Sequence, residues 1–566
     1  MGTVAFIFIS STIIWCLPGL YLSAALNVSR KRTSALVLVC GWCLNAAIGY
    51  AVFWFFFVNR FAGIASLYSI YVAILAMLIS LKFQPKVWKE LRAPDVWIPT
   101  ALMLVTAVFY LSILTDCQGD DPRVNAAAHR FLSADLPSDN LIPRIFANRL
   151  YTGELFLKQP DGSDPRILLG NGTHFGTWRS SDRPPLQTGI ELIQLPIAEL
   201  MNWDVRVQHH VAGLLVQCIW IPALWALCRA LKIPVRTIAI VLTVCIFSGF
   251  FLLNSLYVWP KLLAAGLGML ALAVIVGDQW RSAGDEISRA CLAASLAALG
   301  MLAHAGVALF YPAIAIVAWR FRFVTQARAA LLSAFVFALW LLPWTAYQKF
   351  YDPPGNHLLK WHLAGDIEID DRSFLQALCD AYSTMTISKF ASNKWENSKA
   401  LFGSDCKPVA FIWPSREDQF YHVFKTLGVL NAGWLALIAL AGLWSADIAS
   451  LKRGAMLLAM ALASMLLWIL VLYLPGGTVI HSGSYALIMA LFAGLAILIS
   501  NFPIWFAISV LGIQIFHFML SWAFGDLPAG AALRPGMAAF TVAMALGILG
   551  ALAALARSGK RWVGEQ

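Results

Sequence analysis

An all-α bundle that crosses a membrane many times is the fold class this sequence predicts, and three observations predict it. The 566-residue chain is 60% hydrophobic and only 13% charged, with a mean hydropathy of +0.72, whereas a soluble domain carries about a quarter charged residues. Runs of roughly 17–23 apolar residues recur along it, each long enough as a helix to span a hydrocarbon core. Short basic segments alternate with these runs, as in the loops that fix a polytopic protein in its membrane. A net charge of +11 is compatible with nucleic acid, but the basic residues form no face or stripe, so nucleic acid is excluded as a partner.

The elements follow in order. Spans are predicted near 4–26, 36–58, 62–81 and 98–115, then near 209–230, 236–255 and 258–277. The stretch 289–319 is too long for one ordinary span, and a polar break at His304 divides it into two short helices. Further spans fall near 329–346, 425–444, 454–474, 484–500, 503–523 and 536–556, for about thirteen to fifteen transmembrane helices. No basic segment precedes the first run, so it reads as a true helix and not as a cleaved signal.

Basic residues orient the bundle. Arg30, Lys31 and Arg32 follow the first span, and Lys82, Lys86, Lys89 and Arg92 the third. Arg229, Lys232, Arg236, Lys452, Arg453, Arg557, Lys560 and Arg561 fall on the same side if the N-terminus is outside and the C-terminus inside. Arg320, Arg322 and Arg328 join them only if 289–319 crosses twice. The expected organisation is N-terminal helices over 1–97, a central module over 98–350 with an outer loop at 116–207, a second outer-loop region at 351–424, and C-terminal helices over 425–566. The expected location is the inner (cytoplasmic) membrane, with the long loops on the periplasmic face and the C-terminus cytoplasmic. Loops this long in a compact protein are usually functional. No internal repeat is visible, so the inverted-repeat signature of many secondary transporters is missing.

The first loop opens with "TDCQGDDPRV" (115–124), where Asp116, Asp120 and Asp121 stand just beyond a span. In "DDPRVNAAAHRFLSADLP", apolar Val124, Ala127, Ala128, Phe131 and Leu132 recur at helical spacing, which predicts an amphipathic helix on the membrane surface. "PPLQTGIELIQLPIAEL" (184–200) predicts a second such helix, with Pro184 and Pro185 in its first turn and Arg179 and Arg183 just before it.

A carboxylate pair after a span, a surface helix, and then a basic-Pro-Pro-Leu element resembles the GT-C superfamily of integral-membrane glycosyltransferases. The similarity is to the branch of protein mannosyltransferases and lipid A aminoarabinose transferases. It is carried by Asp120-Asp121, by Arg183-Pro184-Pro185-Leu186, and more loosely by "MNWDVRVQHHVAGLLVQCIWIPALWALCRAL" (201–231), and it covers about 98–350. Here Pro122 and Arg123 follow the pair, and "NSLYVWPKLLAAG" (254–266) carries Lys261 where the family often has an Asp. The resemblance implies a GT-C-like helical bundle, a polyprenyl-phosphate-linked sugar as donor, and a lipid, glycan or protein acceptor at the outer face. Asp120 or Asp121 would be the general base, the other orienting the acceptor, since a carboxylate in reach of a hydroxyl suits proton removal and adjacent carboxylates raise each other's pKa. The phosphate leaving group needs cations; Arg183, Lys261, Arg123 and, from the second loop, Lys360 are the candidates. Asp116, His304 and His362 are candidates for acceptor binding or support.

Each residue also has a plainer reading. An acidic cluster is often a solvated helix end, Arg183 could snorkel to headgroups, and Lys261 with Tyr257, Trp259 and Pro260 fits an interfacial belt. Lys360 and His362, in "YDPPGNHLLKWHLAGD" (351–366), could be ordinary surface residues; His304 and His481 could be core histidines. His209 and His210 are adjacent on a helix and point in different directions. No His/Cys/Asp set has metal-ligand spacing, so no metal site and no cofactor is expected, with a divalent ion on Asp120 or Asp121 and His174 left open. Most of the ten Cys lie in apolar runs; Cys379 and Cys406, in the second loop, could bridge. The sequons "NVS" (27–29) and "NGT" (171–173) are weak motifs. The rival readings are an O-antigen-type polymerase or ligase, resting on loop arginines and a His, and a lipid or glycan transporter or flippase, which would place its charges at mid-membrane.

Overall fold

The computed structural model describes residues 2–30, 33–115, 117–118, 131–132, 138–157, 162–170, 177–277, 286–403, 413–431, 448–525 and 532–562. Among them, ten helices are long and apolar enough to cross a membrane, a bent pair makes an eleventh span, and three shorter apolar helices accompany them. The chain is an all-α polytopic membrane protein. Every predicted span has its helix except 425–444, most of which lies outside the described residues.

The first four spans are α1 (Gly2–Arg30), α2 (Ser34–Val58), α3 (Arg60–Leu81) and α5 (Pro94–Thr115), with the short α4 (Pro85–Leu91) between the last two. In the first loop, α6 (Ile142–Thr152) is followed by α7 (Leu186–Leu192) and α8 (Leu195–Leu200). The next span is α9 (Val205–Gln217) continued by α10 (Trp220–Ala230). A span bent by 62° joins α11 (Val235–Ile246) to α12 (Gly249–Leu256), and α13 (Lys261–Val276) returns. Then come α14 (Glu286–Ala303), α15 (Tyr311–Arg320) and α16 (Ala327–Ala346). The second loop carries α17 (His357–Ala364), α18 (Phe374–Ser383), α19 (Ile387–Phe402) and α20 (Arg416–Tyr421). Four spans close the described chain: α21 (Ile448–Val471), α22 (Tyr485–Ile499), α23 (Ile504–Phe518) and α24 (Pro535–Trp562).

Contacts at the helix ends test the predicted sidedness. The short basic connections meet at one end: Arg229 Nε is 3.0 Å from Asp95 Oδ1, Arg453 Nη1 donates to Lys232 O at 3.1 Å, and Asn27 Nδ2 donates to Glu90 at 2.8 Å. The stretch 289–319 does cross twice. His304 breaks it, and the carboxylate of Glu286, where α14 starts, accepts from the Thr325 and Gln326 N–H groups beyond α15, at 2.6 and 2.7 Å. The two long loops therefore share the opposite end. There β1 (Cys117–Gln118) pairs antiparallel with β4 (Ala532–Leu533), just before α24, and β2 (Ile167–Leu169) pairs with β3 (Trp178–Arg179).

α13 and α22 are buried along their whole length and form the centre, while α3 and α16 keep most of their apolar surface outward, as lipid-facing helices do. Lipid tails are as apolar as leucine, so helices associate by close backbone approach and polar contacts instead of by water exclusion. Gly454 on α21 faces Gly494 on α22, each within 3.1 Å of the other's carbonyl as measured from an added Cβ. Gly189 lets α7 lie against α2, where any side chain would strike Gly49 O.

That contact corrects one expectation. The "PPLQTGIELIQLPIAEL" segment starts a helix right after Pro185, as predicted, but all of α7 is buried and none of it lies on the membrane surface. Within it, Gln187 donates to Glu191 at 3.0 Å. Tyr257 and Trp259 are likewise fully buried and do not form an interfacial belt. The other predicted surface helix, 120–137, lies outside the described residues apart from Phe131 and Leu132, which are buried.

Candidate functional site

Asp116, Asp120, Asp121, Arg123 and His174 lie outside the described residues. Cys117 and Gln118, next to Asp116 in sequence, pair with Leu533 and Ala532. The structure brings Arg183, Lys261, His304 and His362 together beneath the long loops, and leaves Lys360 apart.

Lys261 starts α13 and is 5% exposed. Its Nζ donates to His481 O and lies 4.2 Å from the Trp259 ring centre and 5.5 Å from that of Tyr485. Among the described residues no carboxylate pairs with it. Arg183, 6% exposed, pairs with Asp139 and stacks 4.6 Å over Trp178, and its Nε has no partner among the described residues. Burial lowers its pKa to about 10, so it stays charged at neutral pH. Asp139 also accepts from Trp259 Nε1 at 2.8 Å, which ties the two cation-bearing segments together.

Three histidines complete the cluster. His304 caps the turn after α14, its Nδ1 accepting from Gly306 N–H at 3.0 Å, which leaves Nε2 as the protonated nitrogen. Burial first, then the charges of Lys261, Arg183 and His357, lowers His362 to about 4. Burial, with Lys261 and His362 beside it, lowers His481 to about 3, and its buried Nδ1 has no partner among the described residues. All three are neutral at pH 7, and each keeps part of its surface accessible. Aromatic rings wall the cluster: Trp259 and Tyr421 lie 6.0 Å from His481, and Trp361 stacks on His362 at 5.3 Å.

Two sets of contacts position these groups. From one side, Gln217 Oε1 accepts from Leu263 N–H in the first turn of α13 at 3.0 Å. Gln217 donates to Gln187 at 3.1 Å, Gln187 to Glu191 at 3.0 Å, and His209 Nδ1 lies 2.9 Å from Glu191. Gln187 also donates to Val258 O at 3.2 Å. Val258 has φ +63°, a left-handed conformation that is a true outlier for a β-branched residue and costs about 1–3 kcal/mol. Such strain two residues before Pro260-Lys261 is kept only because the surroundings hold it.

From the other side, Asp352, fully buried, clamps the two long loops. It accepts from Arg179 Nε and Ser180 Oγ, both at 2.7 Å, and from Ser181 N–H at 2.9 Å. His357 Nδ1 is 3.2 Å from Asp182 and its Nε2 2.8 Å from Ile367 O. Burial pulls the His357 pKa down, but the Asp182 carboxylate outweighs it and the net shift is upward, as suits a ring donating from both nitrogens. Asp164 is lowered to about 2 by its hydrogen bonds from Arg166.

No protein-family model matches this chain, and neither does any characterised protein or solved structure.

Of the predicted residues, Arg183, Lys261, His304 and His362 converge, and His481 joins them. Lys360 does not: its ammonium is committed to Asp370. Cys379 is exposed and has no disulfide partner among the described residues, and Cys406 lies outside them. Asn27 of the first sequon is buried on α1. Among the described residues no group of three or more His, Cys, Asp or Glu side chains is placed to hold a metal ion. Asp139, Trp178 and Asp352 escaped the sequence reading, because isolated Asp and Trp residues in loops carry no local pattern.

Proposed function

We propose that the chain is an integral-membrane glycosyltransferase that takes a sugar from a polyprenyl-phosphate donor and passes it to a cell-envelope acceptor at the outer face of the inner membrane. The observation that supports this reading is the buried Lys261, which has no carboxylate partner among the described residues, beside Arg183 at the loop end of the bundle. An isolated ammonium in a low-dielectric site costs several kcal/mol, and a phosphate on a lipid carrier is an anion delivered at that depth. The surrounding Trp and Tyr rings suit the apolar faces of a sugar.

In the proposed reaction the acceptor hydroxyl gives its proton to Asp120 or Asp121 as its oxygen bonds to the anomeric carbon. The bond from that carbon to the phosphate oxygen breaks, the oxygen keeps the electron pair, and the added negative charge falls to Lys261 and Arg183. A single displacement inverts the sugar. A second reading, an O-antigen-type polymerase or ligase, is favoured by the three histidines beside the cations.

The test replaces Asp120 and Asp121 individually with Asn, and Lys261 with Met, confirms folded protein, and profiles the envelope glycans and the lipid that co-purifies. The proposal expects a polyprenyl phosphate on the parent protein and altered glycans in one Asp variant. Unchanged glycans in both Asp variants would reject the carboxylate base, and loss of glycan in His304 or His481 variants alone would favour the second reading.

A further inference from the structure

Helix α19 is amphipathic in the opposite sense to a helix on a soluble lobe. Its buried face holds Asn393, Lys394 and Asn397 together with Leu401. Those polar groups meet the carbonyls left without helical partners where α21 ends. Asn397 Nδ2 donates to Ile469 O at 3.2 Å and to Leu472 O at 3.1 Å. Lys394 Nζ donates to Leu472 O at 2.5 Å, placing a cation at the negative end of the helix dipole. Asn393 Nδ2 reaches Tyr473 O at 3.3 Å. With its polar face used in this way, α19 turns Ile387, Ala391, Trp395 and Phe402 outward, Ile387 being 89% and Trp395 64% exposed. At 3.6 residues per turn these four fall within about 80° of arc. Ser388, Ser392 and Lys399 border the stripe.

What covers such a stripe follows from where it is attached. On α21, Leu462, Leu466 and Leu470 are exposed at i, i+4 and i+8, the lipid-facing row of a membrane span. That row ends at Leu470, between the Ile469 and Leu472 carbonyls that α19 holds, so the two apolar surfaces adjoin. A tryptophan and lysines at the end of a span are the residues that settle at the headgroup level. Leaving the large apolar side chains of Ile387, Trp395 and Phe402 in water forgoes the gain of burying them.

We propose that α19 is an interfacial helix lying in the membrane plane at the loop end of the bundle, with the acyl chains of that leaflet as the occupant of its Ile387–Ala391–Trp395–Phe402 stripe. The proposal does not depend on the glycosyl-transfer reading. It fixes a depth for the candidate site, because Tyr473 N–H also donates to His362 O at 2.9 Å, so His362 hangs within one hydrogen bond of the interface.

The test places nitroxide labels singly at 387, 391 and 395, and at 389 as the control, on a cysteine-free version of the full chain in vesicles of phosphatidylethanolamine and phosphatidylglycerol. Oxygen should relax the stripe labels more than a water-soluble nickel chelate does, and label 389 should show the reverse. Nickel preference at 391 and 395, or labels shielded from both reagents as under a protein partner or a second copy, would overturn the proposal. The otherwise native chain carrying a benzophenone amino acid at 395 gives a second measurement: phospholipid adducts on illumination support the proposal, and a crosslinked dimer rejects it.

Discussion

Asp139 and Lys261 respond in opposite ways to substitution. Asp139→Asn strips the buried Arg183 of its carboxylate, and breaking a buried pair from one side costs about 3–5 kcal/mol. Lys261→Met removes a buried charge that has no carboxylate partner among the described residues, so thermal stability should hold or rise. On the proposed reading, added polyprenyl phosphate should stabilise the parent and not this variant. Thermal unfolding of the purified protein with and without the lipid checks both, and equal destabilisation by the two substitutions would contradict the pairing described. The histidines add a pH dependence. His362 and His481 titrate near 4 and 3 in the folded protein, against about 6.5 when unfolded. Below about pH 6.5 the unfolded state therefore binds more protons. Stability should fall from there down to about pH 4, and a melting temperature that stays flat across that window would count against the buried, neutral cluster. Arg183, Lys261 and His304 were legible in the sequence because each is a polar residue at the edge or break of an apolar run, and His362 because it lies in a long polar loop. Asp139 was not, since it meets Arg183 and Trp259 from 44 and 120 positions away, and no local pattern announces a contact across such distances.

Elements were legible in proportion to how far length and hydropathy alone define them. The double crossing of 289–319 followed from charge on its flanks, and the break came at His304 as expected. The α7 segment was misjudged because Gln187, Glu191 and Gln194 read as a wet face. Inside the protein Gln187 bonds Glu191, and the Gln194 carbonyl accepts from Gln208 at 2.6 Å, so the polar face is a packed one. Gly189 is the hinge of that packing. Gly189→Val drives a side chain into the α2 backbone and should destabilise by about 1–3 kcal/mol. Gly512→Val on α23, where an added Cβ meets nothing within 4 Å, should stay within about 0.5 kcal/mol. Comparable melting temperatures for the two variants would show that α7 does not lie against α2.

For the whole molecule, the structure shows which loops share an end, and the basic residues suggest which end faces out. Cys379, exposed on α18, offers a direct check. A membrane-impermeant maleimide should label it in spheroplasts and spare it in inverted vesicles; the reverse outcome would invert the orientation. The helical bundle was readable from sequence because each span must satisfy its own backbone within about 20 residues. The way the long loops fold over it was not, because Asp352 reaches Arg179 and Ser180 across more than 170 positions.

The small ladder between Cys117–Gln118 and Ala532–Leu533 bears on how the protein is made. Its two halves are separated by most of the chain, so at about 5–20 residues per second the second half emerges roughly 20–80 s after the first. Cys117 and Gln118 therefore acquire their partner strand only when the final helix is inserted. Ribosome-stalled chains that stop before 532 should carry every catalytic candidate and still lack the strand that pairs with Cys117 and Gln118.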